Sequence, residues 1–218
     1  MGAVFAALFG FLIYVFSVLH KDQWLMIANE NSILEQATAL LFALVGVGMV
    51  FIFIKTKLKM HFIFFALMFL ASMREMDWHR AWTTDSILKL KFYVSDMTPV
   101  YEKIIGFIVI IFLLYALTQL IKRAVPWFRK LLHCDQTAWA IGFGLGFLIL
   151  GKIIDSMARL LPFLAQFHKD HREFLMLVEE SFELTGAIFF VAVVLLIFKS
   201  SQRLPQARQQ SIHPDHHA

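Results

Sequence analysis

FLMLVEESFELTGAIFFVAVVLLIF, residues 174–198, decides the class of this protein. Its uninterrupted apolar part, Leu184 to Phe198, rises only about 22 Å as a helix, against roughly 30 Å of hydrocarbon in a bilayer. A crossing must therefore use the residues before Leu184. That places Glu183, and with it Glu180 and Glu179, inside the membrane. Carboxylates at that depth are costly and need a cation, a proton or a metal, so they mark a functional cavity by default.

The same shortage recurs elsewhere. Phe62–Met73 is too short to cross alone and draws in Arg74, Glu75 and Asp77. Ala138–Gly151 is short as well, and Lys152 and Asp155 complete it. Around these segments six spans are readable: Ala3–Leu19, Ile33–Ile54, about His61–Trp82, Ile104–Ile121, about Ala138–Ser156 and about Phe174–Phe198. A chain of 218 residues that is 59% hydrophobic, with 24 Phe, is too apolar for one soluble core. The predicted fold is all-α: a polytopic membrane bundle of about six transmembrane helices. Residues 1–199 form a single transmembrane domain, followed by a disordered tail, 200–218. The first span lacks a basic leading region and a clear cleavage site, and reads as a retained helix.

Basic residues assign the sides. Lys55, Lys57 and Lys59, then Lys122, Arg123, Arg129 and Lys130, then Lys199, Arg203 and Arg208 share one side with Asp135 and Asp215 alone. The other fourteen of the 16 acids fall on the opposite side. By the positive-inside rule both termini are cytoplasmic, the acidic side faces outward, and the expected location is a bacterial inner (plasma) membrane.

Within the outer half, residue spacing nominates a site. Glu75 and His79 are four apart and share a helix face, as do Glu179 and Glu183. Glu180 lies three before Glu183, and Lys152, Asp155 and Arg159 make one charged stripe. His168 and His171 precede the last span in a short outer loop, and Glu35 opens the second. Hard oxygens with imidazole suit Zn, Mn or Fe. The candidate ligands are Glu75, His79, His168, His171, Glu179 and Glu183. Glu75 and Glu183 are candidate catalytic groups, and Arg159 or Arg74 would hold an anionic headgroup.

Plainer readings stand beside these. Ser32-x-x-Glu35 matches a capping box. Lys152, Asp155 and Arg159 read as a structural ion-pair stripe. His79, beside Trp78 and Trp82, suits an interfacial belt. The basic, aromatic stretch from Lys122 to Lys130 reads as a membrane-surface segment on anionic lipid. Cys134 is the only cysteine, which excludes an internal disulfide and a Cys-pair redox cycle. No facing pair of intramembrane histidines suggests a transmembrane haem, and neither a nucleotide cofactor nor a nucleic-acid partner is expected. His213, His216 and His217 lie in the tail, on the wrong side for the site.

Glu30-Asn-Ser-Ile-Leu-Glu-Gln36 and Arg74-Glu-Met-Asp-Trp-His79 resemble acidic motifs in small bacterial polytopic membrane proteins of unassigned function. They also resemble the alkaline-ceramidase-like membrane hydrolases, in which acids precede an early helix and three histidines hold zinc. That resemblance implies His79, His168 and His171 as ligands, and lipid hydrolysis as the activity. The hydrolases have seven spans and a closing H-x-x-x-H pair, whereas this chain has six readable spans and His168-x-x-His171.

Three functions follow, in this order. The first is a metal-dependent enzyme on a lipid or lipid-linked substrate. The second is an ion- or proton-coupled transporter, which raises the absence of an internal inverted repeat and of Gly/Pro-broken helices against it. The third is a non-catalytic accessory or sensor with an acidic outer face. The lipid bilayer is the one certain partner, and oligomeric state is not readable.

Overall fold

A computed structural model describes residues 32–76, 83, 87, 89–160, 163 and 165–210. Every regular element among them is a helix: α1 (Ile33–Thr56), α2 (Lys59–Glu75), α3 (Leu90–Val94), α4 (Val100–Leu132), α5 (Gln136–Leu160), α6 (Ala165–Asp170) and α7 (Arg172–Gln210). Among the described residues, four helices are long and apolar enough to cross a membrane: α1, α4, Gln136–Met157 of α5 and Arg172–Gln202 of α7. The predicted first span and residues 77–82 of the third lie outside the described residues.

The helix starts follow local chemistry. Ser32 caps α1, its Oγ accepting from the Glu35 N–H at 3.1 Å, and Glu35 adds an acid to the first turn. α1 ends where Lys57 turns left-handed (φ 55°) and its N–H reaches the Phe53 carbonyl at 2.7 Å. One residue later α2 begins, so α1 and α2 form an antiparallel pair. α2 closes at Glu75, with the Met76 N–H returned to the Ser72 carbonyl at 3.2 Å. At the α4–α5 turn, Asp135 Oδ1 accepts from the Ala138 N–H at 2.8 Å.

The inward face of α1 repeats at helical spacing: Leu34, Thr38, Phe42, Val45, Met49 and Ile52 are buried. Leu40, Leu44, Phe51 and Ile54 point outward, as a lipid-facing helix requires. α1 packs along α2 and α7, and α7 packs most extensively along α5. The shared core joins Phe42, Met49 and Ile52 to Met68, Ala140, Phe147, Phe189, Phe190 and Val193. Phe189 stacks on Phe143 and Phe147 at 5.4 and 5.9 Å.

Lipid offers no hydrophobic force between helices, so close packing must hold α5 to α7. Gly144 and Gly186 provide it. A Cβ on Gly186 would stand 3.0 Å from the Gly144 carbonyl oxygen and 3.0 Å from the Leu148 side chain. A side chain there would force Leu148 or the helix backbone to give way by a few tenths of an ångström.

Three helices overrun their predicted ends. α4 has 33 residues, about 50 Å of rise, well beyond one hydrocarbon thickness. The Lys122–Lys130 stretch is the closing part of α4. Its Trp127 packs on α5, with Cζ2 3.4 Å from where a Cβ of Gly142 would lie. α5 runs past Ser156 to Leu160, and α7 continues to Gln210, into the segment expected to be a tail. Ala116 of α4 rests on Met60 and Ile63 of α2, while most of α4's apolar side chains are exposed.

Candidate functional site: a charged cluster between α2, α5 and α7

The acidic ends of three helices meet in one cluster. The C-terminus of α2 supplies Arg74 and Glu75. The second half of α5 supplies Lys152 and Asp155. The first turns of α7 supply Glu179, Glu180 and Glu183.

Lys152 Nζ donates to Glu179 Oε1 at 2.7 Å and lies 2.9 Å from Glu183 Oε1. Those two acids are one helical turn apart, so a single ammonium spans both. Asp155 Oδ2 is more distant, at 3.9 Å. From the other side, Arg74 Nη2 lies 3.5 Å from Glu183 Oε1 and 3.6 Å from Glu75 Oε1. Glu183 Oε1 thus stands between a lysine and an arginine.

Burial is graded across the cluster. The Glu183 and Glu75 side chains are 4% and 7% exposed, Glu179 is 15% exposed, and Lys152 and Arg74 are 39% and 54% exposed. The acids are fixed inside and the cations reach in from the rim. α5 and α7 touch at this level, where a Cβ on Gly151 would sit 3.4 Å from Glu183 Cγ, an ordinary contact distance.

Two features show that the cluster is not a closed set of ion pairs. One arginine serves two carboxylates: Glu75 Oε1 and Glu183 Oε1 lie 3.6 and 3.5 Å from Arg74 Nη2. Glu180 Oε2 is buried with no hydrogen-bond partner, and Glu35 on α1 acts electrostatically on the same carboxyl.

Small buried hydroxyls lie among and beside the acids. Ser72, one turn before Glu75, donates to the Ala39 carbonyl of α1 at 2.9 Å. Ser181 and Thr185 are buried and bond back to carbonyls four residues earlier, both at 2.7 Å. Thr38, one turn beyond Glu35 and fully buried, has no partner for its hydroxyl.

Of the residues nominated from sequence, the structure brings together Glu75, Glu179 and Glu183. His79 lies outside the described residues. His168 belongs to α6, not to a loop, and Arg159 to the last turns of α5; the described set does not include their side chains. His171 forms the turn between α6 and α7. Its Nδ1 is 3.0 Å from the Phe167 carbonyl, and its ring stacks on Phe167 with centroids 4.4 Å apart. A carbonyl only accepts, so Nδ1 carries the proton there. Among the described residues, no three His, Cys, Asp or Glu side chains are placed to hold a metal ion.

Sequence reasoning set Lys152 in a stripe along its own helix. The structure turns it across to α7, and that interhelical bridge was not visible in the i,i+3 spacing. The one available signal was the adjacent Gly151, which marks a close helix approach. Comparison with protein-family models, with curated proteins and with solved structures yields no match to this chain.

Proposed function

We propose that this is a bacterial inner-membrane protein with both termini on the basic, cytoplasmic side, whose outward carboxylate cluster binds and releases a proton during an ion- or proton-coupled transport step. One observation carries this reading: among the described residues, Lys152 and Arg74 are the cations set against Glu75, Glu179 and Glu183, and Glu180 Oε2 is buried beside them with no hydrogen-bond partner. A cluster with more acids than cations, largely removed from solvent, retains protons rather than full charge. The buried hydroxyls of Thr38, Ser72, Ser181 and Thr185 add polarity among and beside its acids.

The test is charge displacement. Proteoliposomes adsorbed on an electrode are given a rapid pH jump. A transient that saturates with pH and is lost in Glu183→Gln supports the proposal. Identical transients in wild type, Glu183→Gln and empty liposomes contradict it.

A metal-dependent lipid hydrolase is the second reading, and Arg74 favours it. A guanidinium that is half exposed beside Glu75 and Glu183 is suited to an anionic headgroup. Zn, Mn or Fe would take Glu75, Glu179 and Glu183, with His79, His168 or His171 completing the set. The donor set fits a metal poorly while Lys152 and Arg74 engage Glu183 Oε1. Elemental analysis decides this reading: about one or two equivalents of metal per chain, lost in Glu183→Ala, supports it.

A further inference from the structure

We propose that Lys152 is the tethered cation of this cluster and acts as its gate: the ammonium sits on Glu179 and Glu183 while the cluster is ionised, and swings out when a proton or another cation takes its place. This rests on the proton-binding reading above.

The geometry distinguishes Lys152 from its neighbours. The acids it bridges are held on α7 and are nearly inaccessible, whereas Lys152 enters from the rim with more than a third of its side chain exposed. A lysine of this kind keeps its stem on the protein and regains water for its head by rotating a few bonds. The buried carboxylates have no such route. When Lys152 leaves, the charge of Glu179 and Glu183 must be neutralised from outside, so departure of the ammonium and entry of a cation are one exchange.

An outward position already exists. Asp155, three residues along α5 and 43% exposed, has Oδ2 at 3.9 Å from Nζ. In the observed state Lys152 is about 1 Å farther from Asp155 than from either glutamate. The outward state replaces two short contacts with one exposed pair plus water. The charged groups around Lys152 among the described residues take part in this balance. Asp155 lies on α5, Glu179, Glu180 and Glu183 lie on α7, and Arg74 and Glu75 lie on α2. Arg74 repels Lys152 across Glu183 and thereby favours the outward state. Glu180, itself under the influence of Glu35 on α1, favours the inward one.

The exchange has consequences that an ordinary structural ion pair lacks. Lys152, already partly exposed, should become markedly more reactive when its acceptors are neutralised. The test is amine labelling of the full chain in detergent with a water-soluble acylating reagent, read by mass spectrometry at Lys152 relative to exposed Lys169. Glu179→Gln and Glu183→Gln are tested separately, so that one variant failing to fold leaves the other informative. The expected result is that the Lys152/Lys169 ratio rises about ten-fold in either variant, and rises on acidification of the wild type, as for a two-state equilibrium biased by its partner. A ratio unchanged by both variants and by pH overturns the gate. If the pH-jump transient persists in that case, the proton site stands without a lysine gate. If the ratio responds and the transient is absent, the gate stands and the transport reading fails.

Discussion

At the residue scale, Glu183 and Lys152 bear the largest consequences. Glu183 is nearly inaccessible and is engaged by a lysine and an arginine. Removing Lys152 alone leaves Glu179 and Glu183 without their nearest cation. Breaking a fully buried pair costs about 3–5 kcal/mol, and the partial exposure of Lys152 lowers this to about 1–3 kcal/mol. Lys152→Met is therefore expected to lower the unfolding midpoint in detergent. Adding Glu179→Gln and Glu183→Gln to Lys152→Met should restore most of the loss, because the uncompensated acids are then gone. Equal destabilisation by the single and the triple variant would mean that Lys152 contributes packing rather than charge. Glu35 belongs to the same scale: its role as part of the α1 cap was readable from Ser32-x-x-Glu35, and its action on Glu180 was not.

At the element scale, the site depends on how closely α5 approaches α7. Gly186 meets the Gly144 carbonyl and Leu148 at 3.0 Å, with backbone on one side and a packed side chain on the other. Gly186→Ala is expected to cost about 1–3 kcal/mol, the range for overpacking a filled interface. It should also weaken the Lys152 bridge, raising the Lys152/Lys169 labelling ratio without touching a charged residue. Gly146 is the control. A Cβ there meets nothing within 4 Å, so Gly146→Ala should stay within about 0.5 kcal/mol of wild type or gain slightly from helix propensity. A destabilisation by Gly146→Ala equal to that by Gly186→Ala would argue against the crossing described.

Much of this level was readable before the structure. The start of α1 at Ile33 follows from the Ser32 cap, and the convergence of Glu75 with Glu179 and Glu183 follows from shared apolar shortage at one end of their spans. The partner of Lys152 was not readable, because it depends on the Gly144–Gly186 crossing, a tertiary feature with no fixed sequence spacing. Helix ends were also hidden. Where basic residues leave the bilayer nothing in the chain forces the helix to stop, so α4 runs on through Pro126 to Leu132.

At the whole-molecule scale, the orientation proposed from charge asymmetry can be tested at one residue. Cys134 is exposed in the turn between α4 and α5, beside Arg129 and Lys130, and is the chain's single cysteine. In right-side-out vesicles a membrane-impermeant maleimide is expected to leave Cys134 unmodified until the membrane is permeabilised. Immediate labelling would place the basic end outside and reverse the assignment of the acidic cluster to the exterior.

That the carboxylate cluster holds a proton is the central claim, and infrared absorption of the detergent-purified protein at neutral pH reads it most directly. The wild type is expected to show a protonated-carboxyl band that shifts on exchange into heavy water and is lost in both Glu75→Gln and Glu183→Gln. A wild-type spectrum with only ionised carboxylates, or a band that survives both substitutions, would contradict a proton held by the cluster at Glu75 or Glu183.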